Sequence, residues 1–143
     1  MDIIPGLRST SDALCAEKVQ MNLIAQNIAN AQTTRDVNGQ AYKRKVATFE
    51  TYMPQDKRGS ENSQDPAIQS VRVGNIFEDK TPGIKIYDPT HPHADKDGFV
   101  EQSNVNMANE MVDLIDCSHA YQANLAVVRT SKQITQQILQ IGK

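Results

Sequence analysis

Hydrophobic residues recur every seven positions near the start of the chain. The row consists of Leu7, Leu14, Met21 and Ile28, with Ile24 and Ala31 at intermediate positions. A repeat of this kind is typical of a helix that packs along one stripe against other helices. Hydroxyl residues at 9–11 offer a cap, and "TTRDVNG" is rich in residues that end helices. The pattern predicts a helix over residues 9–31.

A second and longer apolar row lies towards the other end of the chain. Its members step by four and three residues: Met107, Met111, Leu114, Ser118, Tyr121, Leu125 and Val128. Ile134, Ile138 and Ile141 keep the spacing in a shifted phase, so the stripe drifts round the helix. No Pro or Gly interrupts 105–141, and one helix about 50 Å long is predicted. A chain of this size cannot cover such a helix alone.

Between the two rows the pattern changes to period two and to turn residues. The segments 41–52, 68–79 and 83–89 are strand-like, and "FVEQ" at 99–102 forms a further short strand. "MPQDKRGSENSQDPA", at 53–67, is rich in Gly, Pro, Ser and charge, which predicts a loop and the most disordered part of the chain.

These elements predict an α+β fold in which long terminal helices form an antiparallel coiled-coil-like pair and a small β-rich hairpin region projects from one end. The expected divisions are 1–35, 36–106 and 107–143. Such pairing brings position 31 near 108 and Cys15 opposite roughly 124, about 10 Å from Cys117. A disulfide needs Cα atoms within about 7 Å, so free thiols are predicted.

Composition narrows the classes of partner. The 143 residues suit one domain, and a net charge of -2, from 15 basic and 17 acidic residues, gives no electrostatic reason to expect nucleic acid. No apolar run approaches the roughly 18 residues of a membrane span. The N-terminus lacks the basic start, apolar stretch and cleavage site of a secretory signal. We expect no direct membrane insertion, and either a cytoplasmic protein or export without a cleaved signal.

The segment "YDPTHPHADKDGFVEQ" is richest in candidate ligands. As an EF-hand it has the wrong residue at both essential ends, and as a zinc site it lacks a third firm ligand. Turn formation explains it better, because each proline forces extended geometry before it and Asp97-Gly98 makes a tight turn. No metal and no cofactor are expected in this stiff loop, whose contact residues are Asp88, Pro89, His91, Pro92, Asp95, Asp97 and Gly98.

Catalysis is poorly supported. Cys117, Ser118 and His119 are consecutive, but sequence neighbours on a helix point in different directions, whereas a nucleophile and its base must face each other. No nucleophile elbow, phosphate-binding loop or dinucleotide fingerprint occurs. We expect no enzymatic activity.

Asn22, Asn27 and Asn30 stand in the last turns of the first predicted helix, although asparagine is a poor helix former. Their stretch, "SDALCAEKVQMNLIAQNIANAQTT", resembles the N-terminal motif of the bacterial flagellar axial proteins, the rod and hook family. The stretch "YDPTHPHADKDGFVEQSNVNMANEMVDLIDCSHAYQANLAVVRTSKQITQQILQIG" is similar to that family's proximal rod members. The departures are small: Gln26, Phe99 and Ser103 replace the residues common there.

The resemblance implies a structural subunit without catalysis, exported by the flagellar type III system and polymerised into the proximal rod that transmits torque through the periplasm. Implied partners are itself, other rod subunits, the export apparatus, and base and ring proteins of the basal body. Ends that gain their apolar partners from neighbours fold on assembly.

In such a helical assembly the asparagines can bond to neighbouring helices and fix register. Asn30 can also end the helix in left-handed geometry. The alternative for all three is that they are simple solvent-facing and capping residues. The predicted assembly interface consists of Leu14, Met21, Asn22, Ile24, Asn27, Ile28, Asn30, Met111, Leu114, Tyr121, Asn124, Leu125 and Val128. Asn104 and Asn106 are further interface candidates, and Glu110, Asp113 and Asp116 place negative charge near the start of the second helix.

Three other functions remain open at this point. A distal rod or hook relative shares the N-terminal motif, a coiled-coil adaptor would form a discrete helical dimer, and a metal-dependent enzyme or sensor would retain stoichiometric metal on the 88–101 loop.

Overall fold

The computed structural model describes residues 5–36, 39–52 and 70–141. The elements follow in the order helix, two strands, two short strands and helix: α1 (Pro5–Ala29), β1 (Lys45–Tyr52), β2 (Ser70–Glu78), β3 (Lys85–Tyr87), β4 (Phe99–Glu101) and α2 (Met107–Ile141). The α+β fold with terminal helices predicted from the sequence is therefore confirmed. The predicted loop at 53–67 lies outside the described residues.

Helix α1 begins four residues earlier than predicted. Pro5 stands at its first position, where the missing N–H costs no hydrogen bond and the fixed φ already suits a helix. Its end at Ala29 is followed by Asn30, whose Nδ2 donates to the carbonyl of Gln26 at 2.9 Å. Asn30 caps the helix without left-handed geometry, because every positive φ among the described residues belongs to glycine. The left-handed prediction for Asn30 is wrong.

Strands β1 and β2 pair antiparallel, from Lys45 opposite Glu78 to Tyr52 opposite Ser70. The register shifts between Ala47 and Phe49, where the Thr48 hydroxyl exchanges hydrogen bonds with the backbone of Asn75 at 3.0 Å. Such a bulge bends a hairpin. Strands β3 and β4 form a second antiparallel pair of three residues each.

Strand β1 starts at Lys45, four residues after the predicted start at position 41. The preceding backbone takes other partners: Tyr42 N bonds to Thr33 O, and Arg44 N bonds to Asn104 Oδ1 at 2.7 Å. Asn104 Nδ2 also donates to the carbonyls of Asp79 and Thr81. These bonds fix the entry to the hairpin against the start of α2.

The core lies where α1, α2 and the first hairpin meet. It is small: the buried hydrophobic residues of this part among those described are Ala16, Leu23, Ile24, Ala41, Tyr42 and Cys117, while Val100 is buried separately on β4. Cys15 is exposed, and it and Cys117 are free cysteines. Within the described residues no helix is long and apolar enough to cross a bilayer.

Candidate functional site

Helices α1 and α2 lie antiparallel within the chain. Asn27 Nδ2 donates to Glu110 Oε2 at 3.0 Å near one end of the contact. Further along, Cys117 Sγ donates to the Glu17 carbonyl at 3.4 Å. Asn124 Nδ2 donates to the Glu17 carboxylate at 2.6 Å. These contacts give the two helices a register that differs from the predicted one by no more than about one helical turn.

The face of α2 that meets α1 is offset by one residue from the predicted seam. Glu110 and Cys117 are the buried residues of α2, and Asn124, one heptad further on, is half-buried. Hydrophobicity pointed instead to the row through Met111, which is 49% exposed. The inner face escaped the sequence reasoning because its central residues are polar or small.

The predicted interface residues accordingly fall into three groups. Ile24 and Asn27 are buried between the elements. Met111 and Asn22 are exposed. The others flank the inner faces and are half-buried: Leu14, Met21, Ile28, Asn30, Leu114, Tyr121, Asn124, Leu125 and Val128. Their role as contacts between subunits stays a prediction.

A cluster of polar side chains occupies the junction of α1, β1 and α2. We call Asn27, Tyr42, Arg44, Glu110 and Asp113 the interior polar cluster. Glu110 and Asn27 are each 1% exposed. An unpaired polar group at such burial costs free energy, so the partners of these two residues decide whether the cluster is stable.

Asn27 has a partner for both of its amide atoms. Its Nδ2 donates to Lys45 O and to Glu110 Oε2, both at 3.0 Å. Its Oδ1 accepts from Lys45 N at 2.9 Å and from the Tyr42 hydroxyl at 3.0 Å. Asn27 thus joins α1 to β1 and α2 inside the chain, whereas the sequence suggested that it faces a neighbouring subunit.

Glu110 forms the charged part of the cluster. Its Oε1 accepts from Arg44 Nε at 2.5 Å, and Arg44 Nη2 reaches Asp113 Oδ2 at 3.1 Å. The Arg44 side chain is 33% exposed, so the pair is partly open to solvent on the arginine side. Arg44 was missed by sequence reasoning because its partner Glu110 lies 66 residues away. Tyr42 was missed because its partner Asn27 lies in a different element, α1.

Burial raises the pKa of Tyr42, and the charges of Glu78, Glu110 and Asp36 raise it further. The phenol therefore stays protonated and remains a donor to Asn27. Because the folded pKa lies above the unfolded value, this contribution to stability is present at neutral pH and is lost as the pH rises through the folded pKa.

The other asparagines serve local structure. Asn106 Oδ1 accepts from the backbone N–H groups of Ala108 and Asn109, at 3.0 and 3.4 Å, and so caps the start of α2. Asn22 is exposed. The alternative raised from the sequence, solvent-facing or capping asparagines, thus describes Asn22 and Asn30. Asn106, named from the sequence as an interface candidate, also serves as a cap.

The 88–98 segment, the proline loop, is held by its own hydrogen bonds. Asp88 N donates to Gly98 O and Asp95 N to Phe99 O, both at 2.9 Å. The Asp88 carboxylate accepts from the Thr90 hydroxyl and N–H, and these bonds lower the pKa of Asp88 from its usual 3.8. That stabilisation is complete above the usual value and is lost as the pH falls through the lower folded pKa.

Most of the predicted contact residues of the proline loop are at the surface. Pro89, Pro92, Asp95 and Asp97 are exposed, Asp88 and His91 are half-buried, and Gly98 is buried. His93 Nδ1 lies 2.8 Å from the Thr34 hydroxyl, which links the loop to the segment after α1. Among the residues that the structure describes, no three His, Cys, Asp or Glu side chains are placed to hold a metal ion.

The consecutive Cys117, Ser118 and His119 do not form a nucleophile site. Cys117 Sγ is directed at the Glu17 carbonyl, and burial, assisted by the Glu17 charge, raises the pKa of the thiol. A raised pKa disfavours the reactive thiolate. His119 lies exposed on the helix.

Large apolar side chains remain exposed on α2. Near its start they are Met107, Met111, Val112 and Ile115, and towards its end Val127, Ile134, Ile138, Leu139 and Ile141. Exposure is greatest at the end, with 63% for Ile138 and 86% for Ile141. Contiguous apolar exposure of this kind marks interaction surfaces.

The end of α2 extends past α1. Helix α1 has 25 residues and α2 has 35. From the Asn27–Glu110 and Glu17–Cys117 contacts, the start of α1 lies level with about residue 130 of α2 at equal rise per residue. We call residues 131–141 the C-terminal overhang, which has no partner helix among the described residues.

Comparison with known proteins gives a family match over the C-terminal part and similarity over nearly the whole chain. Residues 96–141 match the model described as the C-terminal part of flagellar basal body rod FlgEFG proteins. The chain is 34% identical to the flagellar basal-body rod protein FlgC of Bacillus subtilis, with 100% of both chains covered. It is 36% identical to FlgC of Borreliella burgdorferi, over 99% of this chain and 98% of that one. It is 31% identical to FlgC of Salmonella typhimurium, over 92% of this chain and 91% of that one.

Proposed function

The chain belongs to the FlgC family of flagellar basal-body rod proteins and is a structural subunit of that rod, and we propose that it polymerises through the outer faces of α1 and α2. The partners are further copies of itself and other rod subunits. Neither a distal rod or hook assignment nor an adaptor function is favoured by these relatives.

The observation that supports polymerisation most is the exposed apolar surface of the C-terminal overhang. Ile134, Ile138 and Ile141 continue with a spacing of four and three residues along a helix that extends past α1. Burying one such side chain contributes roughly 1.5–3 kcal/mol. Several of them in each subunit give neighbouring helices a reason to associate.

The remaining parts of the proposal follow from the family. The subunit leaves the cytoplasm through the flagellar type III apparatus without a cleaved signal, and the rod that it forms crosses the periplasm and meets base and ring proteins. It carries no catalytic activity. Residues 1–35 and 107–143 form the assembling core, and 36–106, with the proline loop, contact an adjacent subunit.

A substitution in the overhang tests the assembly proposal. Ile138→Asp places a charge in the proposed interface, where its desolvation opposes packing. Gln137→Asp adds the same charge one residue away on another face and is the matched control. Each variant is expressed in a flagellated strain that lacks its own copy of the protein, and the amount in purified basal bodies is measured beside the exported amount.

We expect Ile138→Asp to be exported but to fall at least about tenfold in basal bodies, since the loss of one buried isoleucine alone weakens a contact by this factor or more. Gln137→Asp should be incorporated as the unchanged chain is. Equal incorporation of the two variants would show that the overhang is not an assembly surface.

A further inference from the structure

We infer that the interior polar cluster fixes the register of α2 against α1, and that Asn27, Arg44 and Glu110 are the positioning residues. The apolar contacts alone define this register poorly. On α2 the half-buried residues Leu114, Tyr121 and Val128 repeat every seven residues. A shift by one heptad would therefore exchange one apolar contact for a similar one.

The cluster responds differently to such a shift. Asn27 and Glu110 are 1% exposed and bonded to each other across the two helices. A shift of seven residues would place Glu110 about 10 Å away along the axis, level with Gln20 or beyond the end of α1. Glu110 would lose the amide, and Arg44 would lose its buried acceptor.

The cost of that loss exceeds the difference in apolar packing. Separating a hydrogen-bonded ion pair so that one buried charge is left unpaired is strongly destabilising in proteins, and a buried neutral polar group left without a partner costs further free energy. A shift by one heptad therefore separates the Glu110 carboxylate from Asn27 and from the arginine that neutralises its charge.

The cluster also aligns the helices with the hairpin. Lys45 is the first residue of β1 and Arg44 directly precedes it. Both amide atoms of Asn27 bond to the Lys45 backbone. Asn27, Arg44 and Glu110 thus fix the positions of α1, β1 and α2 relative to one another. For assembly this matters because the register decides which outer side chains of the two helices stand next to each other.

A distance measurement on the free, full-length chain tests the inference. Nitroxide labels are attached through p-acetylphenylalanine at the exposed positions 26 and 122, so that Cys15 and Cys117 stay unchanged. Pulsed electron spin resonance then gives the distance distribution. A one-heptad shift moves the two labels by about 10 Å along the axis, which such a distribution resolves.

The deciding variant is Arg44→Met with Glu110→Met, which replaces the ion pair by apolar side chains of similar volume. Such replacements often keep or raise stability, so helix content should persist. The matched control is Glu50→Met with Arg72→Met, which removes an ion pair of the same residue types on the hairpin surface, where the side chains are 48% and 61% exposed.

We expect a single distance for the unchanged chain and for the control, and two or more distances for Arg44→Met with Glu110→Met. A single unchanged distance in the deciding variant, or a broad distribution in the unchanged chain, would overturn the inference. If the deciding variant loses its helix content, Glu110→Gln decides in its place: a second distance supports the inference and a single one refutes it. Because the readout needs no rod, it is independent of the assembly test.

Discussion

Asn27 and Asn30 show how position decides what one residue type does. Asn30 follows the last residue of α1, and its amide bonds to the carbonyl of Gln26 one turn back. Asn27, three residues earlier, is buried, and its amide is fully bonded by β1 and α2. The helix propensity that asparagine lacks is compensated in the interior by four hydrogen bonds and at the end by a cap.

At the residue scale we predict that Glu110→Ala lowers the free energy of unfolding by about 2–3 kcal/mol, because Asn27 Nδ2 and Arg44 lose a buried acceptor. The control is Glu50→Ala, which removes an exposed carboxylate paired with Arg72 and should cost less than about 1 kcal/mol. Chemical denaturation of the two variants provides the comparison. Similar losses for both would mean that the interior polar cluster contributes no more than a surface ion pair.

Among the elements, the proline loop owes its shape to backbone conformation as well as to its prolines. Gly98 has φ +78°, and a Cβ there would lie 2.9 Å from Tyr87 Cε2 and 3.3 Å from Pro89 Cβ. Tyr87 and Phe99 meet edge to face with centroids 5.3 Å apart. The turn at Gly98 thus places two aromatic side chains at the base of the loop.

We predict that Gly98→Ala destabilises the chain by about 2–3 kcal/mol, combining the cost of a left-handed non-glycine residue with the crowding against Tyr87 and Pro89. Gly39→Ala is the control, since Gly39 has the same φ of +78° but open space at the Cβ position. It should cost about 1 kcal/mol. Thermal unfolding of the two variants provides the comparison. Equal losses of stability would show that crowding against Tyr87 and Pro89 adds nothing to the cost of Gly98→Ala.

The elements themselves could be predicted from the sequence, because period and turn chemistry are local. Both helices and all four strands of the described residues were expected near their observed places. The inner face of α2 could not be found in this way, since Glu110 is charged, Cys117 is small, and their partners lie in α1 and at residue 44, directly before β1. The start of β1 moved to Lys45 for the same reason, as Asn104 bonds to the Arg44 backbone from sixty residues away.

On the scale of the whole molecule, the two ends of the helix pair differ. At the end near Glu110, three elements are joined by buried hydrogen bonds. At the other end α2 continues past α1 and exposes Ile138 and Ile141. That both chain ends fold on assembly stays a prediction. The C-terminal overhang is where it applies most directly, since α1 and the first two thirds of α2 pack on each other.

Hydrogen exchange of residues 131–141, measured in the free chain and in isolated rods, shows whether assembly buries the C-terminal overhang. Residues 107–130, which face α1, serve as the internal reference in both samples. We expect fast exchange of 131–141 in the free chain and slowing by about a hundredfold or more in the rod, where neighbouring helices cover the overhang. Equal exchange of 131–141 in the two states would contradict assembly through this surface.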